Sequence, residues 1–242
     1  MRKLLATSIL ITSAGFMTSA TAEPVNWNTT TSGTYTCTSG FGNSCTFTSN
    51  GQNLSARAYA TTGPSKVSPF EAATLQIFSQ GLGVNSLTEK NSSPQHALDN
   101  DGRNELIIFE HYSSNYLFTG FQVGWFSGGS DLRVWVGGSN LGYGYDFSGI
   151  RFSELDGLGF IQFDFSNVGN TPQSLGDGIT GPYLIISPPA EDKNDYVKIS
   201  QISGAASGTP PAEIPEPGTL MLLAIALLGL AAGQTRRTCN AS

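Results

Sequence analysis

The chain has 242 residues, room for one all-β domain with processing segments at its two ends. Charged residues make up 12% of it, about half the share of roughly 25% usual in globular proteins, and Gly, Ser, Thr and Asn fill the difference; an aromatic content of 10% argues against a disordered chain. Between residues 23 and 217 stand 18 acidic and 8 basic side chains, a net charge of −10 that repels phosphate backbones and argues against a nucleic-acid partner.

At the N-terminus, Arg2 and Lys3 precede a mostly apolar stretch over 4–17, and Ala20-Thr21-Ala22 offers the small residues a signal peptidase needs. This order predicts a signal peptide over 1–22 with cleavage after Ala22. An exported chain meets an oxidising compartment, so Cys37 and Cys45 are expected to pair. The nine-residue loop they close is worth ~2.5 kcal/mol in the chain-entropy model. The spacing does not suggest zinc.

The body then reads as short strands separated by Gly, Ser, Asn and Pro. Residues 34–36 and 46–48 are β-prone and frame a hairpin around the two cysteines. Residues 54–60 alternate, with Leu54, Ala56, Ala58 and Ala60 on one face and Ser55, Arg57 and Tyr59 on the other. Residues 70–78 offer room for a short helix. The continuous apolar run 106–109 suits a strand buried on both sides. In 117–125, alternation puts Leu117, Thr119, Phe121, Val123 and Trp125 on a common face. Leu132, Val134 and Val136 alternate with Arg133 and Trp135. Residues 150–158 offer a second short helix, 160–165 and 183–186 two more strands. In 196–202, Tyr196, Lys198 and Ser200 stand opposite Val197, Ile199 and Gln201. About nine or ten such runs predict a single β-sandwich of jelly-roll type over 23–204, followed by a linker of small residues and prolines over 205–214.

Three features follow in fixed order over 215–238: Pro215-Glu216-Pro217, an uncharged apolar run over 220–232, and Arg236-Arg237. The prolines keep the first part extended. The sixteen residues 218–233 would form a helix of ~24 Å, short for a hydrocarbon core of ~30 Å but able to span a locally thinned bilayer. Leu220, Leu223, Leu227 and Leu230 supply the apolar surface of this single anchor, and Arg236 and Arg237 hold its end on the cytoplasmic side of the inner membrane. The tail resembles the PEP-CTERM sorting signal. That resemblance implies that an exosortase cuts near Pro215, Glu216 and Pro217 and that the body passes from transient inner-membrane anchoring to the cell surface or the extracellular polysaccharide matrix. The stretch 93–109, with Gly124-Trp125 and 130–134, is similar to a group of exosortase-dependent surface proteins for which no reaction is implied. Such proteins usually carry a more acidic loop after the Gly-Trp, where this chain keeps only Asp131.

The densest set of oxygen ligands is 99–105. Asp99, Asp101 and Glu105 around Gly102 suggest a possible Ca²⁺ site, although the spacing is not that of an EF-hand. The competing reading is an Asx-type turn, in which Asp and Asn bind nearby backbone amides. His96 and His111 are read as turn or surface histidines, and no Gly-x-Ser-x-Gly elbow accompanies them. Glu105 with Glu110, or Asp146 with Glu154 and Asp156, are the available carboxylate pairs for glycoside hydrolysis, a signal any acidic domain offers. Trp125, Trp135, Tyr143 and Tyr145 could form a sugar-stacking platform but are read in preference as core or strand-face aromatics, with Trp135 the best ligand candidate among them. The expectation is therefore a non-enzymatic surface or matrix protein with a structural or adhesive role. A calcium-supported carbohydrate-binding module is the first alternative and a secreted hydrolase the second.

Overall fold

β-Branched and aromatic residues broken at short intervals by Gly, Asn and Ser favour strands over helices, and the computed structural model is built accordingly. It describes residues 24–89, 96–176, 179–191 and 193–206, all within the unit Ala22–Ser207. The signal peptide with Ala20 and Ala22, most of the linker and the whole tail lie outside the described residues.

The described strands are β1 (Val25–Asn28), β2 (Tyr35–Cys37), β3 (Ser44–Ser49), β4 (Gln52–Thr61), β5 (Phe70–Ala72), β6 (Thr74–Phe78), β7 (Gly81–Asn85), β8 (Leu98–Asp99), β9 (Glu105–His111), β10 (Tyr116–Gly128), β11 (Leu132–Gly137), β12 (Phe160–Phe165), β13 (Gln173–Ser174), β14 (Tyr183–Ser187) and β15 (Asp195–Ala206). They form two antiparallel sheets. The first runs β13-β10-β15-β7-β6, with β1 and β8 also on β15. The second runs β12-β11-β14-β9-β4-β3-β2, with β5 on β4. The chain is all-β, as its alternation predicts, and the two sheets face one another as in a β-sandwich.

The region expected to hold a helix at 70–78 is instead β5 and β6. Leu75 is buried in the core and Ile77 packs against it, a period of two, and β6 pairs with β7 through five consecutive residues. The region 150–158 carries two single 3₁₀ turns, Phe152–Glu154 and Asp156–Leu158. Ala205 and Ala206, which composition placed in the linker, extend β15 opposite Leu117 and Tyr116. The β3–β4 hairpin turns through Asn50-Gly51, both at positive φ (48° and 73°). That pair matches the twist of the flanking strands, a local signal that alternation alone passes over. Cys37 and Cys45 are direct cross-strand partners on β2 and β3 and are joined by a disulfide.

The main core lies between the sheets. Trp27, Leu82, Val84, Phe118, Phe121, Val123, Val197, Ile199 and Ile202 from the first sheet meet Phe47, Leu54, Ala56, Ile107, Phe109, Val134, Val136, Leu184 and Ile186 from the second. A second core covers the opposite face of the second sheet. Tyr59, Leu106, Ile108, Trp135, Tyr183 and Ile185 pack there against Phe147, Leu155 and Phe160. Phe147 and Leu155 come from the excursion between β11 and β12, residues 138–159, which folds back over the sheet, and Phe160 opens β12. This double covering is why every residue of β9 and β14 is buried, and why their sequences read as unbroken apolar runs.

The expected face of 117–125 is corrected. Three register shifts interrupt the β10–β15 ladder, between Phe118 and Gly120, Gln122 and Val123, and Val123 and Trp125. Tyr116 and Phe118 point into the core, and after the first shift Phe121 and Val123 do. Leu117 and Thr119 thus face away from the residues with which simple alternation groups them, because each extra residue reverses the side on which all later side chains stand. The second shift, between Gln122 and Val123, has its extra residue, Ser200, on β15 and puts Ile202 in the core with Val197 and Ile199, leaving Gln201 half-buried beside Asn26 and Ser203.

Two stability experiments follow from this architecture. A Cβ placed at Gly124, inside a shift of β10, would sit on the Gln80 backbone carbonyl. Gly124→Ala is expected to lower the unfolding free energy by about 1–3 kcal/mol in urea melts; an unchanged midpoint would show that the bulge relaxes freely. The double substitution Cys37→Ser, Cys45→Ser is expected to cost ~2.5 kcal/mol in the same assay.

Candidate functional site

The 99–105 loop is held by its own backbone amides. Asp99 Oδ1 accepts the Asp101 N–H at 2.9 Å, an Asx turn. Glu105, fully buried at the start of β9, accepts the Ser86 N–H at 3.0 Å on one oxygen and the Asp99 N–H at 3.3 Å on the other. Asp101 turns to the Tyr196 hydroxyl, 3.2 Å away. Among the described residues no group of three or more His, Cys, Asp or Glu side chains is arranged to hold a metal ion. Arg103, beside the turn, pairs with Glu71.

Burial pushes the Asp99 carboxyl up from its ordinary 3.8 to about 7, with the Glu89 and Asp101 charges adding to the effect. Burial likewise raises Glu105 well above its ordinary range, reinforced by Asp99 and Glu89.

Sequence reading passed over a neighbouring lock. Asn100 donates from Nδ2 to the Pro189 carbonyl (3.0 Å) and to Asp195 Oδ2 (2.9 Å), and its Oδ1 accepts the Asp195 N–H (3.1 Å). Asp195 Oδ1 accepts the Asp131 N–H at 2.9 Å, and Asp131 in turn accepts the Asn167 N–H at 2.6 Å. Asp131 thus pins the turn after β10. Asn100 and Asp195 are 95 positions apart, and no local pattern announces such a pair.

The remaining candidates serve the fold. His111 is buried, which corrects its reading as a turn or surface residue. Its ring stacks on Tyr116 with centroids 3.8 Å apart, lies 6.1 Å from Trp27, and accepts the Ser113 N–H on Nδ1. Burial lowers its pKa to about 4. His96, at positive φ, lies 3.6 Å from Glu89. Glu110 is also buried and is surrounded by Arg57 Nη2 at 3.2 Å, the Tyr183 hydroxyl at 2.6 Å and the Gly144 N–H at 2.5 Å. Asp146 accepts the Ser148 N–H, and Glu154 closes a capping box with Arg151; Glu105 and Glu110, on one strand, are bound to separate sets of donors.

The four aromatics of the conceivable platform do not share a surface. Trp125 stands on the first sheet, with Lys198 Nζ 5.1 Å from its ring. Tyr143 is exposed on the excursion, and Tyr145 packs edge-on against Phe147. Trp135 lies on the doubly covered sheet, stacked with Phe152 at 5.3 Å and 22°. A cleft of about 220 Å³ opens beside that pair, bordered by Lys66, Val67, Arg133, Ser153, Gln162 and Glu191.

The tail identifies the chain's handling. Comparison with family models matches residues 213–237 to the PEP-CTERM protein-sorting motif. The chain carries a PEP-CTERM sorting motif. Pro215-Glu216-Pro217, the apolar run with Leu220, Leu223, Leu227 and Leu230, and Arg236-Arg237 all fall within the match. The motif marks an exported protein that is anchored in the membrane by its C-terminus and recognised by an exosortase. No curated protein and no solved structure matches the chain. Among the described residues no helix is long and apolar enough to cross a membrane; the expected anchor of this PEP-CTERM chain lies outside them.

The acidic turn makes stability depend on pH. An unfolded Asp99 loses its proton near 3.8, whereas the folded one holds it to about 7. Between those values the folded state binds the extra proton, so stability falls as pH rises. His111 acts in the opposite sense: its folded pKa lies near 4 and its ordinary value is 6.5, so its contribution is lost as pH falls through that window. Below about pH 6.5 the two effects largely cancel, so the melting temperature of the wild type is expected to drop by only about 2 °C, between about pH 6.5 and 8. Asp99→Asn, which keeps the oxygen that accepts the Asp101 N–H, is expected to flatten that fall. An equal slope in the variant would remove Asp99 as its source.

Proposed function

We propose that this chain is a component of the cell surface or of the extracellular polysaccharide matrix. An exosortase releases it from its membrane anchor at Pro215-Glu216-Pro217, and its β-sandwich then has a structural or adhesive role rather than a catalytic one. The observation that carries this reading is the sorting motif at 213–237, preceded by an N-terminal segment with the order of a signal peptide.

Three properties of the body support it. Its charge is low in density and acidic in sign, which favours solubility among polar polymers. A disulfide closes the edge hairpin of the second sheet, as suits an oxidising compartment. The buried carboxylates Glu105, Glu110 and Asp195 accept hydrogen bonds from the fold itself, and His111 is packed among rings; these groups hold the protein together.

The chemistry of the tail explains the order of its parts. A membrane enzyme needs its scissile segment extended and just outside the bilayer. Prolines on both sides of Glu216 prevent helix there, and the apolar run with its inner arginines sets the depth.

Mass spectrometry of the protein released from cells is the direct test. Wild-type product is expected to end before the apolar run, with no peptides from 220–232. Replacing Pro215, Glu216 and Pro217 together by Ala is expected to leave the chain in the membrane fraction with those peptides intact. Released wild-type protein that still contains residues 220–232 would overturn the processing step.

A further inference from the structure

We infer that the cleft beside Trp135 and Phe152 is a binding site for a neutral pyranose unit of a polysaccharide. Its floor is the face of the second sheet where Trp135 on β11 and Gln162 on β12 are direct cross-strand partners, next to the Arg133–Asp164 pair. The 3₁₀ turn at Phe152–Glu154 lays Phe152 on Trp135 and brings Ser153 to the edge. The other wall comes from two loops far apart in sequence, one with Lys66 and Val67, the other with Ala190 and Glu191.

The rim is a chain of contacts that joins these pieces. Arg151 Nε donates to the Val67 carbonyl at 3.0 Å, tying the excursion to the first loop. Lys66 Nζ reaches Glu191 Oε1 at 3.1 Å, tying the two loops together. Arg133 donates to Glu191 Oε2 at 3.0 Å and to Asp164 Oδ1 at 2.8 Å, tying both to the sheet. Gln162 Nε2 donates to Asp164 at 3.1 Å. The Ser153 hydroxyl and the Gln162 side-chain carbonyl have no protein hydrogen-bond partner among the described residues.

This composition selects a ligand class. Val67, which is exposed, and Phe152, which is half-buried, offer the apolar surface for the C–H face of a pyranose ring, with Trp135 buried beneath Phe152, and the polar side chains of Ser153 and Gln162 at the rim exchange hydrogen bonds with its hydroxyls. Of the charged side chains that line the cleft, Lys66 and Arg133 are both paired with Glu191, and Arg133 also with Asp164 on the neighbouring strand. No unmatched cation waits for a carboxylate or sulfate, and the net charge of −10 over residues 23–217 opposes a polyanion at long range. A neutral sugar meets neither obstacle.

The site stands independently of the sorting reading, since binding is read on the folded chain and sorting on its tail. The test uses the purified protein, with cellotetraose as the neutral probe and tetragalacturonate as the anionic one, followed by ligand-observed NMR and by the Trp indole N–H signals. Trp135→Phe, which keeps an aromatic ring in the core, assigns the Trp135 signal. Cellotetraose is expected to bind saturably, with a Kd of ~1 mM as suits a single small cleft, to shift the Trp135 signal, and to do so equally with chelator present. Ser153→Ala and Gln162→Ala, both at the rim, are each expected to weaken binding about three- to tenfold with an unchanged melting temperature. No saturation at ~10 mM cellotetraose, binding that leaves the Trp135 signal in place, or affinity unchanged in both rim variants would each overturn the assignment. Preferential binding of tetragalacturonate would overturn the neutral-sugar class.

Discussion

Glu110 is taken out of water in the middle of a sheet, and three donors compensate it: the Arg57 guanidinium, the Tyr183 hydroxyl and the Gly144 amide. Arg57 and Tyr183 stand on the strands either side of β9, whereas Gly144 belongs to the excursion over 138–159. A single carboxylate therefore fixes the register of the sheet and docks the segment that covers it. Breaking such a group out of its partners typically costs about 3–5 kcal/mol, because the charge stays buried and loses its compensation. The second core depends on this attachment: once Gly144 is held, Phe147 and Leu155 are delivered onto Tyr59, Ile108 and Tyr183.

That attachment also places the cleft. Phe152 lies on Trp135 only because the excursion has folded back, and Ser153 follows it to the rim. The acidic turn at 99–105 has a different role. Its carboxylates organise backbone amides around the entry to β9, and Asn100 carries the constraint across to Asp195 at the start of β15. Sheet register and loop geometry are thus set by buried polar contacts, while the apolar cores provide the bulk of the driving force.

Much of the architecture was legible in residue order. The alternation of Leu54, Ala56, Ala58 and Ala60 against Tyr59 appears in the structure as two faces in two different cores, and the unbroken run 106–109 is a strand covered on both sides. Alternation misled where the ladder is irregular. Leu117 and Phe121 share a parity, yet one residue inserted between Phe118 and Gly120 puts them on opposite sides. Residues 70–78 show how a sequence that permits a helix becomes two strands when edge pairing is on offer from β4 and β7. His111 looked like a surface residue because one polar ring in a list of residues says nothing of the tyrosines and Trp27 that surround it.

By itself the sequence determined what is local and linear. The sorting signal is of that kind: a membrane and a protease read an extended proline segment, a length of apolar chain and a terminal positive charge in order, with no folding required to bring them together. Strand positions are likewise local, since each depends on a few neighbouring residues. Only the tertiary structure decided which face each strand shows after a bulge, which buried acid finds which donor, and that Lys66, Arg133, Ser153 and Glu191 border one cleft. The physical reason is that side-chain facing is cumulative along a strand, so a single extra residue inverts it, and contacts between residues 34 to 125 positions apart leave no periodicity for the sequence to display.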